Sequence, residues 1–225
     1  MGFDRDAAQR TVVEILDGVK SDRTVGIGFR LLDDVVATAC RCLPHAGGKV
    51  RLPDPDRPAE DPVLVRVRDP ATGKTAVAAV LAADPCSDYA LLGAPAGRAP
   101  GAEDALRPDL SLQELAAGGE RAALQLAPPP EGVVFIFTHE KRWVQAVARG
   151  ASLSFPSAAH RVRGATSGAP AFDAQGRVVG LVGFNDIRLA DAALCVLADQ
   201  LPGWALRRAG AARSAALTIS QANER

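Results

Sequence analysis

Short runs of β-branched and aromatic residues, each closed by a turn rich in proline, glycine or aspartate, recur along most of the 225 residues and fix the fold class. Thr24-Val25-Gly26-Ile27-Gly28-Phe29-Arg30-Leu31-Leu32 leads through Asp33-Asp34 into Val35-Val36-Ala37-Thr38-Ala39, which reads as a hairpin. Val63 to Arg68 alternates apolar with charged residues, Asp69 to Lys74 turns the chain, and Thr75 to Leu81 returns it as a second hairpin. Val133 to Phe137, Trp143 to Ala148 and Arg177 to Phe184 continue the pattern. Strands this short, at this spacing, pack as a barrel or a sandwich.

The segments between the runs organise the chain. Leu52 to Pro62 holds too much proline and acid for a strand and reads as an exposed loop, and Gly93 to Pro108, rich in Pro, Gly and Ala, reads as the crossing between two lobes. Two stretches are expected to be helical: residues 4–18, with Val12, Val13, Ile15 and Leu16 as the apolar positions, and residues 202–213. The polar Ser220 to Arg225 segment is expected to fray.

Twenty-six Lys and Arg balance 26 Asp and Glu, so no net charge draws the chain to nucleic acid or to an anionic membrane, and neither is expected as a partner. The N-terminal residues are charged where a secretory signal needs an apolar run, no stretch approaches membrane-spanning length, and Asp6 spoils the acylation motif that Met-Gly would open. Four cysteines, Cys40, Cys42, Cys86 and Cys195, are too few for a disulfide scaffold. A reduced, cytoplasmic protein without a cofactor is the expectation.

Three segments carry a resemblance. Gly26-Ile27-Gly28-Phe29 with Ala37-Thr38-Ala39-Cys40-Arg41-Cys42-Leu43 resembles the "G-x-G-F … T-A-A-H-C" run of trypsin-like and HtrA-like serine proteases, with Arg41 on the histidine. Asp84-Pro85-Cys86-Ser87-Asp88-Tyr89-Ala90-Leu91-Leu92 resembles the segment that supplies the family's aspartate, with Asp88 in that place. Gly164-Ala165-Thr166-Ser167-Gly168-Ala169-Pro170-Ala171-Phe172-Asp173, followed by Gly176 to Gly180, resembles "G-x-S-G-G-P-x-F-D … G-x-V-V-G", with Ser167 as the nucleophile. A Ser-Gly-x-Pro string alone is an ordinary turn; the order and spacing of all three segments make the likeness specific.

The resemblance implies an all-β protein of two six-stranded antiparallel β-barrels of the chymotrypsin/trypsin type, with short N- and C-terminal helices. It divides the chain into an N-terminal segment (1–23), a first lobe (24–95), an interlobe connection (96–125), a second lobe (126–200) and a C-terminal helix and tail (201–225). It implies Ala165 and Ser167 as the oxyanion donors, Ala165 standing where the family has glycine, and Arg161, Gly183 and Phe184 as substrate-binding residues. Arg161 reads either as a pocket cation favouring an acidic group or as a solvated arginine at a strand end.

Acyl transfer by a serine needs a base within hydrogen-bond reach, a carboxylate to orient that base, and donors for the oxyanion. Arginine is always protonated and has no acceptor, so Arg41 cannot be that base, although its planar fork could pair with Asp88. His45, His139 and His160 each read as a solvated loop residue or as a substitute base. Cys40, Cys42, His45 and Cys86 read as free thiols with a loop histidine, or as a Cys₃His zinc site.

Three functions follow. The first is a pseudoprotease that binds a peptide or protein partner, and proteins resembling this one often carry such domains as modules of larger signalling or defence systems. The second is an active endopeptidase in which Ser167 uses a non-standard or partner-supplied base. The third is a structural β-barrel with a zinc clasp.

Overall fold

Asp4 opens the first helix by accepting hydrogen bonds at Oδ1 from the backbone N–H of Asp6 and Ala7, at 3.1 and 3.0 Å. That helix, α1 (Arg5–Arg10), ends after six residues, because Thr11 turns its hydroxyl back onto the Ala8 carbonyl at 2.7 Å. The computed structural model describes residues 3–18, 21–32, 34–46, 49–50, 63–95, 110–117, 123–124, 131–157, 162, 164–183, 192–197, 201–205 and 207.

The helix expected over residues 4–18 is corrected here: its second half is strand β1 (Val12–Leu16). All five residues of that strand are buried, so both faces are covered, and β-branched Val12, Val13 and Ile15 favour the extended backbone once no polar face is needed. Glu14, buried in its middle, is held by Arg68 Nε at 2.6 Å.

Strands β2 (Thr24–Leu32) and β3 (Val35–Thr38) form the first expected hairpin. After the two-residue pair β4 (His45–Ala46) and β5 (Lys49–Val50) come β6 (Leu64–Arg68) and β7 (Thr75–Asp84), the second expected hairpin, and then β8 (Tyr89–Gly93). In the order β1-β2-β3-β8-β7-β6 these six strands close an antiparallel barrel. The barrel therefore begins at Val12, twelve residues earlier than Thr24, because β1 pairs with both β2 and β6.

The segment between the lobes contains a helix that the composition concealed. In α2 (Leu112–Ala117), Ser111 and Glu114 cap each other reciprocally, with Ser111 N–H to Glu114 Oε2 at 2.8 Å and Glu114 N–H to Ser111 Oγ at 3.1 Å. Leu112 and Leu115 join the core of the first barrel.

The second lobe comprises β9 (Ala123–Leu124), β10 (Gly132–Phe137), β11 (Trp143–Arg149), β12 (Ser152–Ser154), β13 (Pro170–Phe172), β14 (Arg177–Gly183) and β15 (Ala192–Leu197). The sheet runs β13-β10-β11-β12-β15-β14, and a further pairing of β13 with β14 returns it on itself, with β9 added parallel to β14. The fold is all-β with few short helices, as the resemblance implied. Of the expected C-terminal helix, residues 203–205 and 207 are helical; residues 208–225, the Leu52 to Pro62 loop and residues 96–109 lie outside the described residues. Among the described residues no helix is long and apolar enough to cross a membrane.

One apolar cluster fills the first barrel, with Val13, Ile15, Val36, Val65, Val67 and Leu92 at its centre. The other spans both lobes, joining Ile27, Phe29, Leu31 and Leu91 to Ile136, Phe172, Val179 and Val182. Phe3 adds to the second cluster: its ring stacks on Phe135 at 4.4 Å between centroids and meets Trp143 edge-on at 5.2 Å. Arg30, only 1% exposed, donates to the Arg10 carbonyl and reaches Asp69 Oδ2 at 3.3 Å, tying β2 to the β6–β7 turn.

Ile15→Ala, at a fully buried position of β1, is expected to lower the unfolding free energy by about 2–4 kcal/mol. Val133→Ala, at a half-exposed position of β10, is expected to cost under about 1 kcal/mol. Urea denaturation of both variants, with the slope unchanged from the parent, checks the contrast.

Candidate active site

The site is built where the end of β3 meets the turn before β13. Thr38, the last residue of β3, donates its hydroxyl to the Ile27 carbonyl at 2.6 Å, which fixes the exit of the chain into the 3₁₀ turn Cys40–Cys42. The turn before β8 is shaped by Asp84, whose Oδ1 accepts the Cys86 N–H at 2.8 Å. Asp88 follows with φ 52°, a left-handed backbone that aspartate tolerates better than most residues.

Asp88 holds the Cys40–Cys42 turn by three bonds. Its carbonyl accepts the Cys40 N–H at 3.3 Å, Oδ1 accepts the Arg41 N–H at 3.2 Å, and Oδ2 accepts Arg41 Nε at 2.7 Å. The carboxylate side chain is 16% exposed and the arginine 37%. Burial pushes the Asp88 carboxyl above its ordinary value, while the charge and the two hydrogen bonds of Arg41 pull it back.

Ser167 enters from the second lobe on the 3₁₀ turn Gly164–Thr166 and is buried. Its carbonyl accepts the Ile27 N–H at 2.8 Å and faces Cys42 Sγ at 3.4 Å. Gly168, with φ +82°, donates its N–H to the Val182 carbonyl at 2.7 Å. A Cβ here would collide with the Ile27 carbonyl, Thr38 Oγ1 and the Ala39 amide, so only glycine lets the two backbones approach. The three segments that carried the resemblance therefore converge on one place.

Two features govern the chemistry there. Among the described residues, none makes a hydrogen bond with the Ser167 hydroxyl. The Ser167 N–H is already used, bonding to the Gly164 carbonyl at 3.0 Å across the 3₁₀ turn. Ala165 lies inside that turn and does not have a positive φ, so replacing the family's glycine brings no backbone strain in this conformation.

The remaining candidates are distributed as follows. Gly183 ends β14 and is buried. Arg161, Phe184 and His160 lie outside the described residues, as does the side chain of His45, whose backbone forms β4. His139 approaches Thr166 rather than Ser167, with Nδ1 3.0 Å from Thr166 Oγ1. Burial pushes the Cys40 thiol up to about 11 and the Cys42 thiol up to about 12, which suits inert buried thiols. Cys86 is exposed, and among the described residues no three His, Cys, Asp or Glu side chains form a metal-binding group.

Sequence reasoning missed Thr166 and Gly164 as parts of the site. Thr166 stands beside Ser167 in sequence, but its partner is 27 residues away and no local pattern announces the pair.

Two antiparallel lobes meeting along a serine-bearing turn are the architecture of the chymotrypsin-fold serine proteases. The sequence model of the trypsin-like peptidase domain matches residues 26–181, more than half of the chain, and the protein belongs to that family. No curated protein matches it. Among solved structures, the serine endoprotease from Yersinia pestis is similar at a TM-score of 0.55 and 15% identity, over 85% of this chain and 60% of that one. This chain thus spans less than two thirds of the Yersinia structure. The Rv3671c protease from M. tuberculosis in its active form is similar at 0.53 and 18% identity, over 87% and 79% of the two chains. An inactive serine-to-alanine mutant of Rv3671c from M. tuberculosis is similar at 0.54 and 21% identity, over 92% and 89%. At such identities the likeness shows the fold.

Gly168→Ala is expected to destabilise the protein by at least about 3 kcal/mol, since the positive φ and three fixed neighbours all oppose a side chain; thermal unfolding measures the loss. Arg41→Met should produce a pH-dependent deficit. A carboxyl raised by folding costs stability once ionised, a cost absent below its unfolded pKa and growing as pH rises through its folded value. Removing Arg41 raises Asp88 further, so the deficit relative to the parent should be full at neutral pH and shrink as pH falls through the titration of Asp88. Urea denaturation at several pH values between 3 and 8 reads it; a deficit independent of pH would contradict the assignment.

Proposed function

We propose that this trypsin-like peptidase domain is catalytically impaired and acts as a peptide- or partner-binding module. The observation that carries the reading is the 2.7 Å ion pair of Arg41 Nε with Asp88 Oδ2. On the family pattern, the carboxylate that should orient a histidine holds a guanidinium, which cannot take a proton from Ser167. Loss of the base in such a triad costs about 10⁴–10⁶ in rate.

The Ser167 turn supports the same reading. An oxyanion site needs N–H groups aimed at the developing charge, and one missing donor costs about 10²–10³ in rate. The Ser167 N–H spends its hydrogen on Gly164 instead, at 3.0 Å. The balanced charge of the chain favours a peptide or protein ligand over a polyanion.

The test compares the parent, Ser167→Ala and Arg41→His for labelling by a fluorophosphonate and for cleavage of a peptide library. The parent is expected to be silent, and Arg41→His is expected to gain labelling of at least about tenfold that depends on Ser167. Labelling and cleavage by the parent that vanish in Ser167→Ala would make it a working peptidase and overturn the proposal.

A further inference from the structure

The turn that carries Ser167 is gripped by a side chain that neither the triad positions nor the barrel pairings require. Thr166, fully buried and adjacent to Ser167, places Oγ1 3.0 Å from His139 Nδ1, and the His139 backbone N–H points at the same oxygen from 3.5 Å. A hydroxyl both donates and accepts, so it can satisfy both His139 groups at once.

His139 is presented by a turn with little freedom. Between β10 and β11, the Thr138 N–H and hydroxyl both bond to the Arg142 carbonyl, at 3.0 and 3.1 Å, and the Lys141 N–H bonds to the Thr138 carbonyl at 2.9 Å. Lys141 takes the left-handed φ of 59° that completes the turn, and Arg142 Nε pairs with Glu140 at 2.7 Å. The imidazole thus comes from a stapled support and meets one buried hydroxyl.

On the other side of Thr166, the Ser167 N–H closes onto Gly164. A 3₁₀ bond has poorer geometry than an α-helical one, so the Ser167 N–H bond is the weak link of a turn whose carbonyls are fixed elsewhere, Thr166 by the Ala169 N–H at 3.1 Å and Ser167 by the Ile27 N–H at 2.8 Å. We infer that His139 is a positioning residue: through Thr166 it latches the Gly164–Ser167 turn in the closed form, in which the Ser167 N–H is withheld from a ligand oxygen. This concerns the regulation of the proposed site and rests on reading Ser167 N–H as an oxyanion donor. A latch worth one ordinary hydrogen bond changes the opening equilibrium about two- to tenfold.

The experiment is residue-resolved amide hydrogen exchange by NMR on the full chain, comparing the parent with His139→Ala, His139→Asn and Thr166→Val. Thr166→Val keeps the buried shape and removes only the hydroxyl. Exchange of the Ser167 amide is expected to quicken about two- to tenfold in His139→Ala and Thr166→Val, and to return close to the parent rate in His139→Asn, whose side-chain amide can still reach the hydroxyl. The amides of Ile27 and Gly168, bonded to the Ser167 and Val182 carbonyls, should not change. An unaltered Ser167 rate in both variants overturns the latch, and so does equal acceleration of all three amides, which would reveal general loosening. No substrate enters this measurement, so fluorophosphonate labelling of the parent would sink the functional reading while the exchange rates decide the latch on their own.

Discussion

Everything at the site hangs on one close approach of backbone to backbone. The Ser167 carbonyl takes the Ile27 N–H, and the space a side chain on Gly168 would need is filled by the Ile27 carbonyl, Thr38 Oγ1 and the Ala39 amide. β2 and β3 thereby set the height and tilt of a turn that belongs to the other lobe. Hydrogen bonds of this kind are modest one at a time, but inside a shared apolar cluster they cannot be exchanged for water without loss. Cys42 lies under the same carbonyl, and the space that Gly26 leaves open is where its sulfur goes.

Given that stitch, the character of the site follows from what Asp88 holds. Its carboxylate is mostly withdrawn from water, a costly position for a charge, and Arg41 offsets part of the cost with a counter-charge and two N–H donors. The pair is therefore more than a surface contact: it organises the 3₁₀ turn at Cys40–Cys42. A neutral imidazole in the same place would leave a different electrostatic balance, and the fold can carry the arginine because its guanidinium still reaches solvent.

Hairpins were legible in the sequence wherever period-2 alternation met a turn of Asp, Gly or Pro, as at Val63 to Leu81, since both signals are local. Residues 4–18 misled because Val12, Val13, Ile15 and Leu16 also satisfy a helical spacing; burial on both faces of β1 decides the matter, and that depends on β2 and β6 arriving from elsewhere. The helix Leu112–Ala117 carried a readable signal in Ser111 and Glu114, which the surrounding alanine and glycine obscured. The order of the Arg41, Asp88 and Ser167 segments was legible, and the structure gathers them. The meeting of Glu14 with Arg68 across 54 positions and of His139 with Thr166 across 27 was not, because it is set by strand register and barrel closure rather than by neighbours in the chain.

Phe3 and β1 are separated by one short helix, yet the ring sits among aromatics of the second lobe while the strand completes the first. Helix α1 is thus a crossbrace, and neither lobe can come apart without disturbing the anchorage of the other. The two lobes share this segment as well as an apolar cluster, so opening either one exposes apolar surface that the other helps to cover.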